Sequence, residues 1–146
     1  MDIGVRDDVD LLGTNVGNNW RLIRYADVLL MHAEALNEQG NTSEAETFLN
    51  MVRSRALIAP REGLSQVEMT QAIIDERVLE LTGESHRFYD LVRWDLADDY
   101  LGASSIHGDH PKSLSGGVFQ TGKHELIWIP VSEIQANANL NQNPGF

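Results

Sequence analysis

The chain has no cysteine in its 146 residues, so neither a disulfide nor a thiolate zinc site can form. Cations are also scarce: 11 Lys and Arg stand against 22 Asp and Glu, for a net charge of -11. That balance excludes nucleic acid and anionic membrane surfaces as partners, because both need a basic patch. The acidity reads as solubility. No apolar run approaches the roughly 20 residues that would span a bilayer as a helix. The start, Met1-Asp2-Ile3-Gly4, lacks the charged and apolar regions of a signal peptide and is not read as one. No Ser/His/Asp order, phosphate-cradling glycine loop or thiol nucleophile is present. What remains is ordinary for a soluble globular protein, with 42% hydrophobic and 23% charged residues. The length is one domain's worth.

The pattern along the chain is helical. Residues 1–19 hold Asp2, Asp7, Asp8 and Asp10, then a Gly/Asn-rich run, and read as an irregular lead-in that docks at Trp20. A helix is expected from about Trp20 to Gln39, with Leu22, Ala26, Leu29, Leu30, Ala33 and Leu36 on one face. Gly40 stands where a left-handed cap belongs. Asn41 and Glu44 suggest a capping box for a second helix carrying Ala45, Phe48, Leu49, Val52 and Ala56, ended by Pro60 and Gly63. Asn41-Thr42-Ser43 also matches a glycosylation sequon, but Asn41 already has a structural role as a helix start. The two helices form a hairpin similar to one tetratricopeptide-type unit, although the tryptophan and proline of that pattern are absent. One such unit cannot bury its own faces, so a second hairpin is expected. Ser65 and Glu68 form a capping box that starts a third helix, running to about Thr82. A fourth is expected from Ser85 to Leu96 or Tyr100.

The fold class is therefore all-α, two tetratricopeptide-like helical hairpins with an irregular C-terminal segment packed over them. Residues 102–124, rich in Gly, Ser and His, read as a flexible insert. Leu126–Ile129 reads as extended and buried, Ser132-Glu133-Ile134 as a single helical turn, and Asn137–Phe146 as an irregular end that wraps back over the helices to cover Leu140 and Phe146.

The middle of the chain, Glu76 to Trp94, interleaves charge with large apolar residues. If Gly83 breaks the helix, Ile74, Val78 and Leu81 form one stripe and Phe88, Leu91 and Val92 another. Arg77 and Glu80, Glu84 and Arg87, Arg87 and Asp90, and Asp90 and Arg93 are each three apart, the spacing of helical ion pairs. A half-buried network of arginines forking onto carboxylates is expected. Other readings of these residues compete with that one. His86 and Asp90 could present two metal ligands, but nothing nearby completes a site, and hydrogen bonding within the network is the preferred reading. Glu76, Glu80 and Glu84 could hold an acid/base pair for glycoside hydrolysis, yet the adjacent arginines argue for ion pairing. His107, Asp109, His110 and His124 could bind a metal adventitiously; a solvated loop is preferred. Trp94 and Trp128 are read as core and not as platforms for sugar rings, whereas Trp20, Tyr25 and Tyr100 are less committed.

The run from Glu76 to Trp94, Glu-Arg-x-x-Glu-Leu-x-x-Glu-x-His-Arg-x-x-Asp-Leu-x-Arg-Trp, resembles the C-terminal signature of the SusD/RagB family. Arg21–Glu38 resembles that family's preceding helix, and Leu126–Phe146 its closing segment. The resemblance covers residues 19–146 apart from the insert. It implies the C-terminal portion of a longer outer-membrane lipoprotein, with residues 20–146 as one helical domain. It further implies a non-enzymatic role without cofactor: binding of an oligosaccharide or other nutrient together with a SusC-like TonB-dependent outer membrane transporter, at the outer surface of a Bacteroidetes-type cell. Contacts to ligand would come mostly from loop-rich parts outside this chain. Faces left exposed would favour self-association. The alternatives are a free-standing tetratricopeptide-like adaptor and an acid/base hydrolase.

Overall fold

Apolar residues spaced three and four apart produce two antiparallel 14-residue helices, α1 (Tyr25–Glu38) and α2 (Thr42–Arg55). The computed structural model describes residues 22–102 and 118–146. It continues with α3 (Gln66–Glu80), α4 (Arg87–Arg93), α5 (Ala97–Leu101) and α6 (Val131–Ala136). Among the described residues there is no strand, and no helix is long and apolar enough to cross a membrane. The expected lead-in and most of the expected insert lie outside the described residues. The chain divides into two compact units, residues 1–77 and 78–146.

In the first unit three helices share one core. Leu29, Leu30, Ala33 and Leu36 of α1 meet Ala45, Leu49 and Val52 of α2, and Met69, Ala72 and Ile73 of α3. Phe48 packs against this cluster and takes the His32 ring edge-on at 4.3 Å. The hairpin forms as expected, but α1 begins five residues later than the periodicity suggested, at Tyr25, and Leu22 is exposed. Its end is a Schellman turn: Gly40 has φ 80, its N–H donates to the Asn37 carbonyl, and the Asn41 N–H donates to the Leu36 carbonyl.

The same turn stops α2, ahead of the expected Pro60 and Gly63. Leu57 takes φ 58 while its N–H and that of Ile58 donate to the carbonyls of Ser54 and Arg53. A leucine in this conformation carries a steric cost of about 1–2 kcal/mol. Being 94% exposed, it recovers none of that by packing.

The two expected capping boxes differ in outcome. Asn41 makes no side-chain cap; its backbone is part of the Schellman motif, and the Glu44 N–H that a cap would serve donates to the Asn41 carbonyl at 3.1 Å. The Ser65 box is complete. The Ser65 N–H and hydroxyl donate to Glu68 Oε2 at 2.9 and 2.6 Å, and the Glu68 N–H donates back to Ser65 Oγ at 3.3 Å.

In the second unit the expected fourth helix comes in two pieces. A Schellman turn at Asp95, φ 59, separates α4 from α5, with N–H groups of Asp95 and Leu96 closing on the carbonyls of Val92 and Leu91. Leu91 is buried, whereas Phe88 and Val78 of the expected stripes are exposed. Leu126–Ile129 is irregular backbone and, against expectation, is not buried, with Trp128 53% exposed. The closing segment lies along it. The Gln142 amide brackets Ile129, accepting from its N–H at 2.8 Å and donating to its carbonyl at 2.9 Å, while Asn143 donates to the Ile127 carbonyl at 2.6 Å. The single turn expected at Ser132–Ile134 is present as α6.

Two outcomes test this description. Leu91→Ala is expected to lower stability by about 2–5 kcal/mol in urea unfolding, as a buried deletion. The Glu68 carboxyl is held below its usual range by the Ser65 hydroxyl and then the Ser65 amide. A depressed carboxylate contributes stability above its unfolded value, lost as pH falls through the folded one. Amide exchange at Ser65 should therefore accelerate only at strongly acid pH, from about 4 downward. In Glu68→Gln that acid step should vanish.

Candidate functional site

The charged residues singled out in the sequence do gather, but mostly across helices. Arg77 reaches Asp27, fifty positions away, with Nη1 donating to Oδ1 at 2.8 Å; both side chains are nearly excluded from solvent. One position earlier, Glu76 Oε2 accepts from Arg53 Nη1 at 2.6 Å. Arg53 Nε also donates to the Ala59 carbonyl, so the guanidinium ties α2, α3 and the connecting loop. The neighbours Glu76 and Arg77 thus anchor α3 to α2 and to α1 respectively. Helical periodicity alone finds the i,i+3 partners and misses these, since nothing local marks Asp27 or Arg53 as a mate.

A polar hub also went unanticipated. Asn37, 1% exposed, donates to the Gln66 carbonyl at 3.0 Å and to Thr70 Oγ1 at 2.9 Å, and accepts from the Thr42 hydroxyl at 2.8 Å. Gln66 returns a bond to the Asn37 carbonyl at 2.7 Å. The available signal was an asparagine next to Leu36, on the buried face. Farther on, the loop after α2 is fixed by side chains. Asn50 exchanges two bonds with the Arg61 backbone, and Glu46 accepts from the Leu64 N–H.

In the second unit, Asp90 Oδ1 accepts from Arg93 Nε at 2.9 Å, the i,i+3 pair expected. Among the described residues no group of three His, Asp or Glu side chains is placed to hold a metal. Gly83 and Ser85, at φ 82 and 65, break the helical register between Glu84 and Arg87. The Arg87 guanidinium lies over the Tyr100 ring, 4.7 Å from its centroid. That of Arg93 lies 4.4 Å over Trp94, which is half-buried. Trp128, read as core, is exposed instead. His107, Asp109, His110 and Trp20 lie outside the described residues.

Glu76 is 2% exposed and faces an arginine, so it does not look into an open cleft. The open concavity of the first unit lies elsewhere. A cavity of about 520 Å³ sits between the start of α1 and the end of α2, floored by Ala26, Leu29, Met51 and Val52 and bordered by Ile23, Tyr25, Arg24 and Arg55. Its lining is mostly apolar, with Arg24 and Arg55 as the charged members.

A helical hairpin locked to a third helix by buried ion pairs and an amide hub defines a tetratricopeptide-like scaffold. The chain belongs to the SusD family, whose model matches residues 12–146. It is 35% identical over 144 residues to SusD-like protein P2 of Formosa agariphila, covering 92% of this chain and 27% of that protein. It is 31% identical over 127 residues to the starch-binding protein SusD of Bacteroides thetaiotaomicron, covering 86% of this chain and 21% of that protein. Among solved structures, a SusD superfamily protein from Bacteroides vulgatus superimposes with a TM-score of 0.72 at 29% identity, covering 86% of this chain and 27% of the other. The chain therefore spans about a quarter of the length of the curated relatives it matches.

Removing one member of a buried pair leaves the other uncompensated, at a cost of about 3–5 kcal/mol. Asp27→Asn and Arg77→Met are each expected to approach that loss, and the double variant to lose less than their sum. A double-mutant cycle in urea gives the coupling directly.

Proposed function

We propose that this chain supplies the helical scaffold of a non-catalytic nutrient-binding protein of the outer membrane. Residues 20–146 act as one domain. The whole protein binds an oligosaccharide or another nutrient at the outer cell surface and passes it to a SusC-like TonB-dependent transporter. Family membership and the starch-binding relative support the ligand class. The observation that carries the scaffold role is the burial of Glu76, Arg77, Asp27 and Arg53 in mutual pairs. Groups so engaged hold helices in register, and neither Glu76 nor Asp27 is poised for proton transfer.

Ligand contacts fall largely outside this chain. A millimolar sugar site is worth only about −4 kcal/mol, so losing a few contacts abolishes it. Calorimetry with a panel of oligosaccharides is expected to give no binding by the isolated chain, and co-purification is expected to recover a SusC-like transporter. Tight sugar binding, or glycan cleavage, by the isolated chain would overturn the scaffold reading. A second reading, a peptide-binding adaptor, draws on the apolar cavity between α1 and α2. It requires that Met51→Glu abolish partner capture while leaving the fold intact.

A further inference from the structure

Apolar side chains gather at the open end of the α1–α2 hairpin. Leu22, Ile23 and Tyr25 lead into α1 there, and Met51, Leu57 and Ile58 stand where α2 ends; all six are exposed. The antiparallel arrangement brings both groups to the hollow floored by Ala26, Leu29, Met51 and Val52. Together the six side chains present on the order of 600 Å² of surface, the upper end of what a monomer ordinarily exposes in one patch.

Leu57 sets this face apart. Its φ of 58 is a conformation that glycine adopts without steric cost, and its side chain is 94% exposed. In the monomer the leucine carries strain and gains no burial. The backbone beneath it is braced. Arg53 donates from Nε to the Ala59 carbonyl and from Nη1 to Glu76, and the Ile58 N–H donates to the Arg53 carbonyl. Asn50 fixes the far side of the loop through two bonds with the Arg61 backbone. A side chain held out on so rigid a turn loses little freedom when something covers it.

We infer that this face is an interface between two copies of the chain, with Leu57 of each seated in the hollow of the other. Projection and recess lie side by side: Arg55 lines the hollow and Leu57 follows two residues later. A two-fold axis between them sets each against its counterpart, so the contact closes at two copies. The chemistry matches, a branched aliphatic side chain against a floor of aliphatic carbon and thioether. The surface approaches the roughly 800 Å² per partner of a stable interface while falling short of it, which makes the dimer a weak one. Each copy carries a net charge of -11, so repulsion opposes assembly and added salt relieves it. The inference does not depend on the nutrient reading, and it competes with the peptide reading for the same hollow.

Sedimentation velocity on the full chain, from roughly 10 μM to 1 mM, tests it. A monomer–dimer equilibrium is expected, tightening as NaCl rises from about 0.05 to about 0.5 M. Leu57→Asn removes the projection and reaches the left-handed region more readily than leucine. It should weaken the dimer on the order of tenfold or more. Its urea midpoint, read at low concentration where the monomer prevails, should be no lower than that of the native chain. Ile127→Ser, at an exposed position of the second unit, should leave the dimer unchanged. A strict monomer throughout would overturn the inference and assign the face to residues preceding Leu22 or to a different protein. Species larger than a dimer, a dimer as tight in Leu57→Asn as in the native chain, or one that salt weakens or Ile127→Ser dissociates would each overturn it too.

Discussion

An arginine and a carboxylate can be buried together only if they find each other. Two such encounters, Asp27 with Arg77 and Arg53 with Glu76, set the arrangement of the first three helices. Each pair bridges α3 to a different helix, and the anchoring residues on α3 are consecutive. Consecutive helical residues point about 100° apart, so the two pairs fix rotation as well as translation. A one-residue slip of α3 would strand four charges in an apolar setting, each at a cost of several kcal/mol. The greasy contacts among Leu30, Leu49 and Ile73 tolerate more slack, since hydrophobic burial has no direction. Adhesion thus comes from apolar area and register from charge. The Asn37 hub adds a second polar tie where α1, α2 and α3 begin or end.

This division bears on chemistry. A general acid or base needs a proton path to substrate. Glu76 has none: it is excluded from solvent and satisfied by a guanidinium at 2.6 Å. Among the described residues the first unit also holds an apolar cavity lined in part by Arg24 and Arg55.

Legibility in the sequence followed the range of the interactions. Helix existence, the faces of α1 and α2, the Gly40 stop and the Ser65 box were readable because each depends on residues within about four positions. The Asp90–Arg93 pair was readable for the same reason. The Asp27–Arg77 pair spans fifty positions, and no local rule selects that partner. Leu57 and Asp95, non-glycine residues in the left-handed region, ended helices without the usual signal; the nearby prolines and glycines drew the α2 boundary too late. At Arg87 the spacing was correct, but the helical register it assumed was broken by Gly83 and Ser85.

The misreading at Leu126–Trp128 has a different origin. An apolar run in a sequence registers a demand for cover, and the inference to burial assumes that the demand is met. Here backbone groups of Ile127 and Ile129 are satisfied instead, by side-chain amides of Gln142 and Asn143. Once those polar groups are paired, the segment holds its place without the side chains being buried, because an exposed indole forgoes a gain and breaks no bond. Polar satisfaction is close to obligatory, whereas apolar burial is merely favourable. A short segment can therefore meet the first condition while leaving the second open. The same holds for Ile23 and Tyr25 beside the cavity, which flank an extended Arg24 and lie exposed on a hairpin whose other face is packed. Repeat-type hairpins carry two faces and fill one of them by themselves. Exposure on the remaining face is thus a property of the unit and no sign of faulty packing.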